Sequence, residues 1–450
     1  MRTLLRRMTD NDPDSGSRRW HWPDPAQRLV PQSVEDARWF RVVSNTLYLF
    51  AAVFLIRAVF QMPTINDGSD FIPIWDAVQR YTSGEAVYNE DYSTEAPHYL
   101  WSPGATALLS PIALLGDFDL ARRVLLLLGA ACILASLYLC IRMITAHLTS
   151  QLMAVAVIAT FAPAEPVVST LVLTNINGFL LLLMVLLVLM SLSDVSDRHA
   201  WSQGGERSGE SSGEHSGGHR LRHLLLRRRT LIGGLVLGLA VTIKPQFGVL
   251  AFIPLVSGQL VLLVIAGLVV IGLFAIGWLT MNTPMDYVDN LLPYLGEPRS
   301  YNNGSISGIA LNLGWNSTVE YLCLAALLAV TVAAVVLLWR WRFSDPVMWA
   351  FSTLGVLFVA IIMSSGLHQA YYCMWLLPMA VTVLCRRSPM HNPVMWLAFF
   401  IFMTSTHWPV GEIPVLPEVF GNLQTVAWLA VPFATVWWAV AERRRDTADC

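Results

Sequence analysis

Long apolar stretches separated by short polar segments run through most of this 450-residue chain. The clearest lie at 231–243, 259–280, 319–339 and 346–363. Alone or with a neighbour, each approaches the roughly 20 apolar residues that cross a bilayer as a helix. Charged residues make up 13% of the chain, against the roughly 25% typical of soluble domains. This pattern predicts an all-α polytopic transmembrane bundle of about ten to twelve spans.

The spacing of the apolar stretches places the individual spans. They are predicted at 42–61, 120–141, 150–165, 177–193, 231–244, 246–258, 260–279, 319–340, 346–366, 369–385, 392–409 and 424–441. The apolar segment 104–115 is bracketed by two prolines and is short, so it is either a re-entrant helix or a full span. A disordered cytoplasmic N-terminus at 1–41 and a cytoplasmic tail at 442–450 flank the transmembrane domain, 42–441.

The placement of arginines predicts which ends of the spans face the cytoplasm. Positive charge concentrates in cytoplasmic loops, and that side would hold the N-terminal arginines, Arg220, Arg222, Arg227–Arg229, Arg340, Arg342, Arg386, Arg387 and Arg443–Arg445. The Gly/Ser-rich segment 194–229 is then a disordered cytoplasmic loop. The first polar loop, 62–103, and the second polar loop, 281–317, share the outer face. Three arginines do not fit one face under this assignment: Arg122, Arg123 and Arg142.

Several classes of function have no sequence support. We find no P-loop, no dinucleotide-binding glycine motif, no metalloprotease or nucleophile-elbow motif, and no basic patch for nucleic acid. The six cysteines form no CxxC or Cys/His cluster, which indicates buried thiols and no disulfide framework. We therefore expect no metal and no cofactor.

The first polar loop combines carboxylates with aromatic rings between apolar spans. Long structured loops are usually functional, and carboxylates supply bases while aromatic faces supply platforms for sugars. Asp70 stands at its start, just before a segment that favours a short amphipathic helix lying on the membrane. Asp70 is accordingly a candidate general base, and a helix N-cap is the equally open alternative.

Aromatic residues of the same loop are candidates for binding sugar. Trp75, Tyr99 and Trp101 could stack on a sugar ring, or could form an interfacial belt at the membrane surface. His98 precedes the last two where the chain re-enters the membrane, and it is a candidate for binding phosphate.

Polar residues also interrupt two later apolar stretches. Asn175 and Asn177 lie at a break, where amides either line a polar cavity or tie helices together. Lys244 precedes a proline inside an apolar stretch, where a charge is costly. An ammonium at that depth would suit a phosphate headgroup, and snorkelling to the interface is the alternative.

The second polar loop and a later span end contribute the remaining candidates. Arg299 could clamp phosphate with its forked guanidinium, and Tyr301 and Asn302 follow it as candidates for contacting sugar or acceptor. His368 closes a span on the same predicted face and could handle phosphate or protons. A solvated surface charge and a structural histidine are the respective alternatives.

These pieces, in this order, resemble the polytopic C-type (GT-C) glycosyltransferases of actinobacteria that use polyprenyl-phosphate sugars. Within that group they are most similar to the α-(1→3)-arabinofuranosyltransferases of cell-wall synthesis. The matching stretches are DFIPIWDAVQRYTSGEAVYNEDYSTEAPHYLWSPGATALLSP, LVLTNING, IKPQFG, YNNGSISG and QAYYCMWLLP, between residues 70 and 378. The sequence departs from the family pattern at Ser102 and at His368, and the second departure weakens His368 as a required residue.

The resemblance implies a specific reaction. Arabinofuranose would move from decaprenylphosphoryl-β-D-arabinofuranose to an arabinan of arabinogalactan or lipoarabinomannan, forming α-(1→3) branches with inversion. Asp70 would be the base, and Lys244 with Arg299 or His98 would hold the donor phosphate. The enzyme would be a multi-pass protein of the plasma membrane, in contact with membrane lipids, with its active site on the extracytoplasmic face.

Three other functions remain open at the level of sequence. A polyprenyl-phosphomannose-dependent mannosyltransferase of phosphatidylinositol mannosides would use the same loop, since residue types do not identify the sugar. A transporter or flippase for lipid-linked sugars is less favoured, because the chain shows no internal repeat and its polar residues concentrate on the predicted outer face. A non-catalytic scaffold would have little use for Asp70, His98 and Lys244 at membrane boundaries.

Overall fold

A computed structural model describes residues 20–24, 26–94, 96–162, 165–205, 216–299, 303–404 and 416–448. Its α-helices are α1 Gln32–Glu35, α2 Arg38–Ile56, α3 Ile72–Ser83, α4 Pro103–Leu109, α5 Phe118–Ile144, α6 Thr149–Phe161, α7 Glu165–Val172, α8 Asn177–Gly205, α9 Ser216–Ile243, α10 Phe252–Val256, α11 Leu260–Thr280, α12 Leu292–Gly296, α13 Ile306–Asn312, α14 Ser317–Leu338, α15 Pro346–Met363, α16 Leu377–Val381, α17 Pro393–Met403 and α18 Leu416–Ala448. Short 3₁₀ and π turns join several of them, and no β-strand occurs among the described residues.

Six of the described helices are long and apolar enough to cross a membrane: Arg38–Ile65, Phe118–Ile144, Leu260–Thr280, Ser317–Trp341, Pro346–Met363 and Leu423–Arg445. The pair α6 and α7 bends by 71° and forms either one broken span or a re-entrant loop. Shorter apolar helices lie at Asn177–Ser193, Ala370–Leu384 and Pro393–Met403, where spans are predicted. The all-α polytopic membrane fold is therefore confirmed.

Two segments predicted as disordered contain ordered elements. Residues 194–205 continue α8 and residues 216–229 begin α9, and the Leu- and Arg-rich part of the second stretch favours helix. Residues 206–215 themselves lie outside the described part of the chain. Near the N-terminus, His147 in the α5–α6 turn contacts the Glu35 carboxylate at 2.7 Å and accepts from the Leu29 amide at 2.8 Å. These contacts anchor the segment that leads into α2.

The two polar loops meet at one end of the bundle, as predicted. Asn282 donates to the carbonyl of Gly84, and Asn290 donates to the carbonyl of Tyr88, each at 3.0 Å. Gly84 ends α3 in the left-handed conformation, with φ of +74°, which glycine adopts without strain. The amphipathic helix predicted after Asp70 is α3, and its apolar face is buried. One wall of a cavity is built from these two loops together.

Close backbone packing holds the short helix α4 against the spanning helix α11. A Cβ added at Gly277 would overlap the Pro103 carbonyl oxygen, and one added at Gly104 would lie 2.8 Å from the Phe274 nitrogen. Only glycine fits such a contact, so small residues set this crossing. The crossing also fixes the start of α4, just after Trp101.

We expect Gly277→Ala to lower both thermal stability and catalytic activity, because the new methyl group would push α4 away from α11. Overpacking of this kind costs about 1–3 kcal/mol. Melting temperature in detergent and enzymatic turnover would measure the two effects. Gly272→Ala on the same helix is the matched control, because a Cβ there meets open space. Equal behaviour of the two variants would contradict the proposed packing role.

Candidate active site

A cavity of about 430 Å³ opens where the two polar loops meet the ends of the spans. Six of the twelve residues predicted for the site line it. These are Asp70, His98, Trp101, Asn175, Lys244 and Arg299. Segments far apart in the chain therefore converge on one cavity.

Asp70 faces this cavity and does not cap a helix. The residue preceding α3 is Phe71, and no side chain caps that end. The Asp70 carboxylate instead accepts from the Asn175 side-chain amide at 2.6 Å. The N-cap alternative is therefore wrong, and the carboxylate lines the cavity.

Two asparagines connect Asp70 to Lys244. The Asn175 side-chain oxygen accepts from the Asn177 backbone amide at 3.1 Å, which directs its NH₂ group toward Asp70. The Asn177 side-chain oxygen accepts from the Lys244 ammonium at 3.0 Å. That ammonium also lies 4.4 Å from the ring centre of Tyr372 and 5.0 Å from that of Trp375. Lys244 thus points into the protein and does not snorkel, and the two asparagines connect a carboxylate to a cation.

Arg299 supplies a second cation to the cavity lining. Its guanidinium carbon lies 5.2 Å from the ring centre of Tyr294, and its backbone amide donates to the carbonyl of Gly366 at 3.3 Å. Tyr371, Tyr372 and Asp70 line the same cavity. Two fixed cations beside one carboxylate form a suitable environment for a phosphate group.

His98 lines the cavity, and both nitrogens of its ring contact neighbouring acceptors. Nδ1 lies 3.4 Å from the Glu90 carboxylate, and Nε2 lies 3.0 Å from the Thr94 carbonyl. Glu90 also pairs with Arg80 at 2.5 Å, and the ring packs against Tyr92. Because both nitrogens already face acceptors, a phosphate would meet the face or edge of this ring and not a spare N–H group.

The predicted aromatic residues divide between the cavity and the protein interior. Trp101 lines the cavity. Trp75 packs against Phe118 with ring centres 6.0 Å apart, and Tyr99 is fully buried with its hydroxyl 2.8 Å from that of Thr106. Neither lines the cavity, so the structure corrects their assignment from sugar stacking to packing. One face of an amphipathic loop packs against the core, and the rings of Trp75 and Tyr99 lie on that face.

His368 lies outside the cavity lining, in a buried contact between elements. It is 2% exposed, its ring packs against Trp428, and its backbone amide donates to the Asn303 side chain at 2.8 Å. Burial lowers the pKa of His368 to about 3, so the ring is neutral at physiological pH and offers no charge to a phosphate. The structure thus corrects its assignment to the phosphate site. Tyr301 and Asn302 lie outside the described residues.

The lowered pKa of His368 predicts a loss of stability in acid. An unfolded chain takes up a proton near pH 6.5, whereas the folded state resists until about pH 3, so stability is full above pH 6.5 and falls below it. The expected slope is up to about 1.4 kcal/mol per pH unit. In detergent, His368→Asn should show a shallower fall in unfolding free energy between pH 7 and 5 than the parent protein. Identical slopes would contradict the assignment.

Sequence reasoning missed the contributions of Tyr371 and Tyr372 to the site. Both line the cavity, and both belong to the quoted stretch QAYYCMWLLP, whose paired tyrosines at a span end were the available signal. It also left Arg122 and Glu90 without a role. Among the described residues, no group of three or more His, Cys, Asp or Glu side chains is arranged to hold a metal ion.

Comparison with known proteins gives one consistent result. The profile of glycosyltransferase family 87 matches residues 99–205 and 221–365. A relative from Corynebacterium glutamicum is 31% identical over 90% of this chain and 86% of its own. A relative from Mycobacterium tuberculosis is 32% identical over 83% of this chain and 77% of its own. A relative from Mycolicibacterium smegmatis is 29% identical over 90% of this chain and 88% of its own. All three are named α-(1→3)-arabinofuranosyltransferase. No solved structure shows significant similarity.

Proposed function

We propose that this chain, which belongs to glycosyltransferase family 87, transfers arabinofuranose from a polyprenyl-phosphate donor to an arabinan acceptor. Membership of the family makes it a glycosyltransferase, and its helices make it a multi-pass membrane protein. The sugar comes from the names of its relatives. The cavity supports the donor and the mechanism.

The observation that carries the proposal is one carboxylate facing two cations in a single cavity. Asp70 would remove the proton of the acceptor hydroxyl as that oxygen bonds to the anomeric carbon. The bond from that carbon to the phosphate oxygen would break, and the electron pair would leave with the phosphate. Lys244 and Arg299 would stabilise the charge that develops there. A phosphate leaving group needs little protonation, so one carboxylate is sufficient, and attack from the opposite face inverts a β donor to an α product.

Apolar surface beside the cavity favours a lipid-linked donor. Leu295 lines the cavity and is itself 41% exposed. It belongs to an exposed apolar stripe formed by Met285, Val288, Leu292 and Leu295, in the turn and short helices of the second polar loop. In a membrane protein such a stripe faces lipid, so a polyprenyl chain could lie along it with its phosphate in the cavity. A decaprenyl-phosphate sugar fits this arrangement.

Purified protein should form α-(1→3) linkages when it is given polyprenyl-phosphoarabinofuranose and a synthetic α-(1→5)-linked arabinan. Linkage analysis of the product tests donor, acceptor and stereochemistry together. Transfer from polyprenyl-phosphomannose to phosphatidylinositol mannosides, with none from the arabinose donor, would replace the proposal with the mannosyltransferase alternative. Movement of intact donor across vesicle membranes without any transfer would indicate a flippase.

The site would face outward across the plasma membrane. The arginines at the predicted cytoplasmic ends of the spans support this orientation. Arg387 pairs with Glu442 at 3.4 Å, so the cluster at 386–387 and the cluster at 443–445 lie at the same end of the bundle. A reporter fused after Ala448 should be active only in the cytoplasm. A reporter active outside would overturn the orientation, and with it the argument for a lipid-linked donor.

A further inference from the structure

Arg122 lies near the N-terminal end of α5, where a positive charge is unfavourable for the helix. Its guanidinium nevertheless donates hydrogen bonds to four acceptors. It donates to the carbonyls of Pro63 at 2.8 Å and Val172 at 3.4 Å, to the Thr174 hydroxyl at 3.3 Å, and to the carbonyl of Asn66. Four acceptors around one planar group form a tailored site for arginine. These bonds account for an arginine that the positive-inside rule did not explain.

The acceptors come from the two segments that present the active-site pair. Pro63 and Asn66 precede Asp70 by a few residues, and Val172 and Thr174 directly precede Asn175. The Val172 carbonyl belongs to the last turn of α7, where carbonyls lack helical partners and a cation is favourable. Arg122 therefore adds hydrogen bonds between two segments that also pack against each other and are linked by the bond from Asn175 to Asp70.

Backbone conformation shows that the two segments are shaped around this guanidinium. Gly68 has φ of +79°, and a Cβ there would lie 2.7 Å from Nε of Arg122. The turn is closed by the Asn66 side chain, which accepts from the amides of Gly68 at 2.7 Å and Ser69 at 3.0 Å. Thr174 has φ of +55°, a conformation that is costly for a threonine. Such strain persists where surrounding contacts fix the backbone, and Arg122 makes one of them.

We propose that Arg122 is a positioning residue that holds the base Asp70 and its partner Asn175 in register. This rests on the proposed function, since it assigns Asp70 as the base. The guanidinium lies behind the pair and is not among the residues lining the cavity, so its effect on catalysis would pass through the backbone. A misplacement of about 1 Å at a reacting group can lower a rate by about 10²-fold.

Arg122→Lys should lower kcat by roughly 10–100-fold while KM for the acceptor changes less than about threefold. Lysine keeps the charge but replaces a planar fork by a single ammonium, which cannot reach four divergent acceptors. Arg123→Lys is the matched control, because the neighbouring arginine is exposed. It should behave like the parent protein.

Two further measurements separate positioning from general stabilisation. Hydrogen exchange of peptides covering 62–70 and 172–177 should increase in Arg122→Lys and not in Arg123→Lys, and this readout does not depend on activity. In an Asp70→Asn background, Arg122→Lys should cause no further loss of residual transfer, because its effect would act through Asp70. Unchanged kcat and exchange in Arg122→Lys would overturn the proposal, as would an equal further loss in the Asp70→Asn background. If the parent protein transfers no arabinofuranose while the exchange difference is present, the proposed function fails and the structural linkage stands.

Discussion

Asp70→Asn should lower the rate of sugar transfer by roughly 10²–10⁴-fold, the usual contribution of a general base. The substitution keeps the size of the side chain and removes its ability to accept a proton. The Asn175 amide could still donate to the remaining carbonyl oxygen, so the local structure should be retained. KM for the lipid donor should therefore change little. Initial rates with radiolabelled donor over a range of acceptor concentrations would measure both quantities.

Asp67→Asn provides a matched control for that variant. Asp67 is an exposed carboxylate three residues upstream in the same turn, and it does not line the cavity. Its substitution should leave turnover near that of the parent protein. If a well-folded Asp70→Asn variant keeps near-normal turnover, the base must be sought elsewhere. Asp76 lies outside the cavity lining, so that result would contradict the site as a whole.

The helical membrane fold was predictable because bilayer thickness imposes a simple constraint on composition and length. Long runs such as α11 and α15 could hardly be anything but buried or lipid-facing helices. Short elements were less predictable. The short apolar segment after Trp101 consists of α4 followed by a 3₁₀ turn, Ser110–Leu115. Its start depends on Ser102, which accepts from the Ala105 amide and donates to the Thr242 carbonyl, each at 3.2 Å. Only the first of these partners is local in sequence.

The candidate site was predictable where isolation in apolar surroundings made a polar residue costly. Asn175, Asn177 and Lys244 were identified for that reason, and they bond one another or Asp70. Which aromatic rings enter the core could not be derived, because interfacial belts and buried clusters use the same residue types. Tyr99 illustrates this, since its partner in the core is the hydroxyl of Thr106. The role proposed for Arg122 depends on contacts between residues at least 50 positions apart in the chain, which no local pattern reveals.

Lys244→Met should weaken use of the lipid donor by roughly 10–100-fold. Methionine keeps an unbranched apolar chain of similar length against Tyr372 and Trp375, but it removes the ammonium that donates to Asn177. A hydrogen bond to a charged group contributes about 1.5–3 kcal/mol, which corresponds to that range. The loss should appear in the apparent KM for the donor, while KM for the acceptor stays within about threefold.

Lys244 also connects through the asparagines to Asp70, so a fall in kcat alone would not identify a phosphate-binding role. Polyprenyl phosphate, the lipid product, separates the two effects because it carries the phosphate without a sugar. As a competitive inhibitor it should bind Lys244→Met more weakly by the same factor as the donor, and it should bind Asp70→Asn as well as it binds the parent protein. If its inhibition constant is unchanged in Lys244→Met, the ammonium acts on the base and not on the phosphate. Arg299 would then be the cation to test for holding the leaving group.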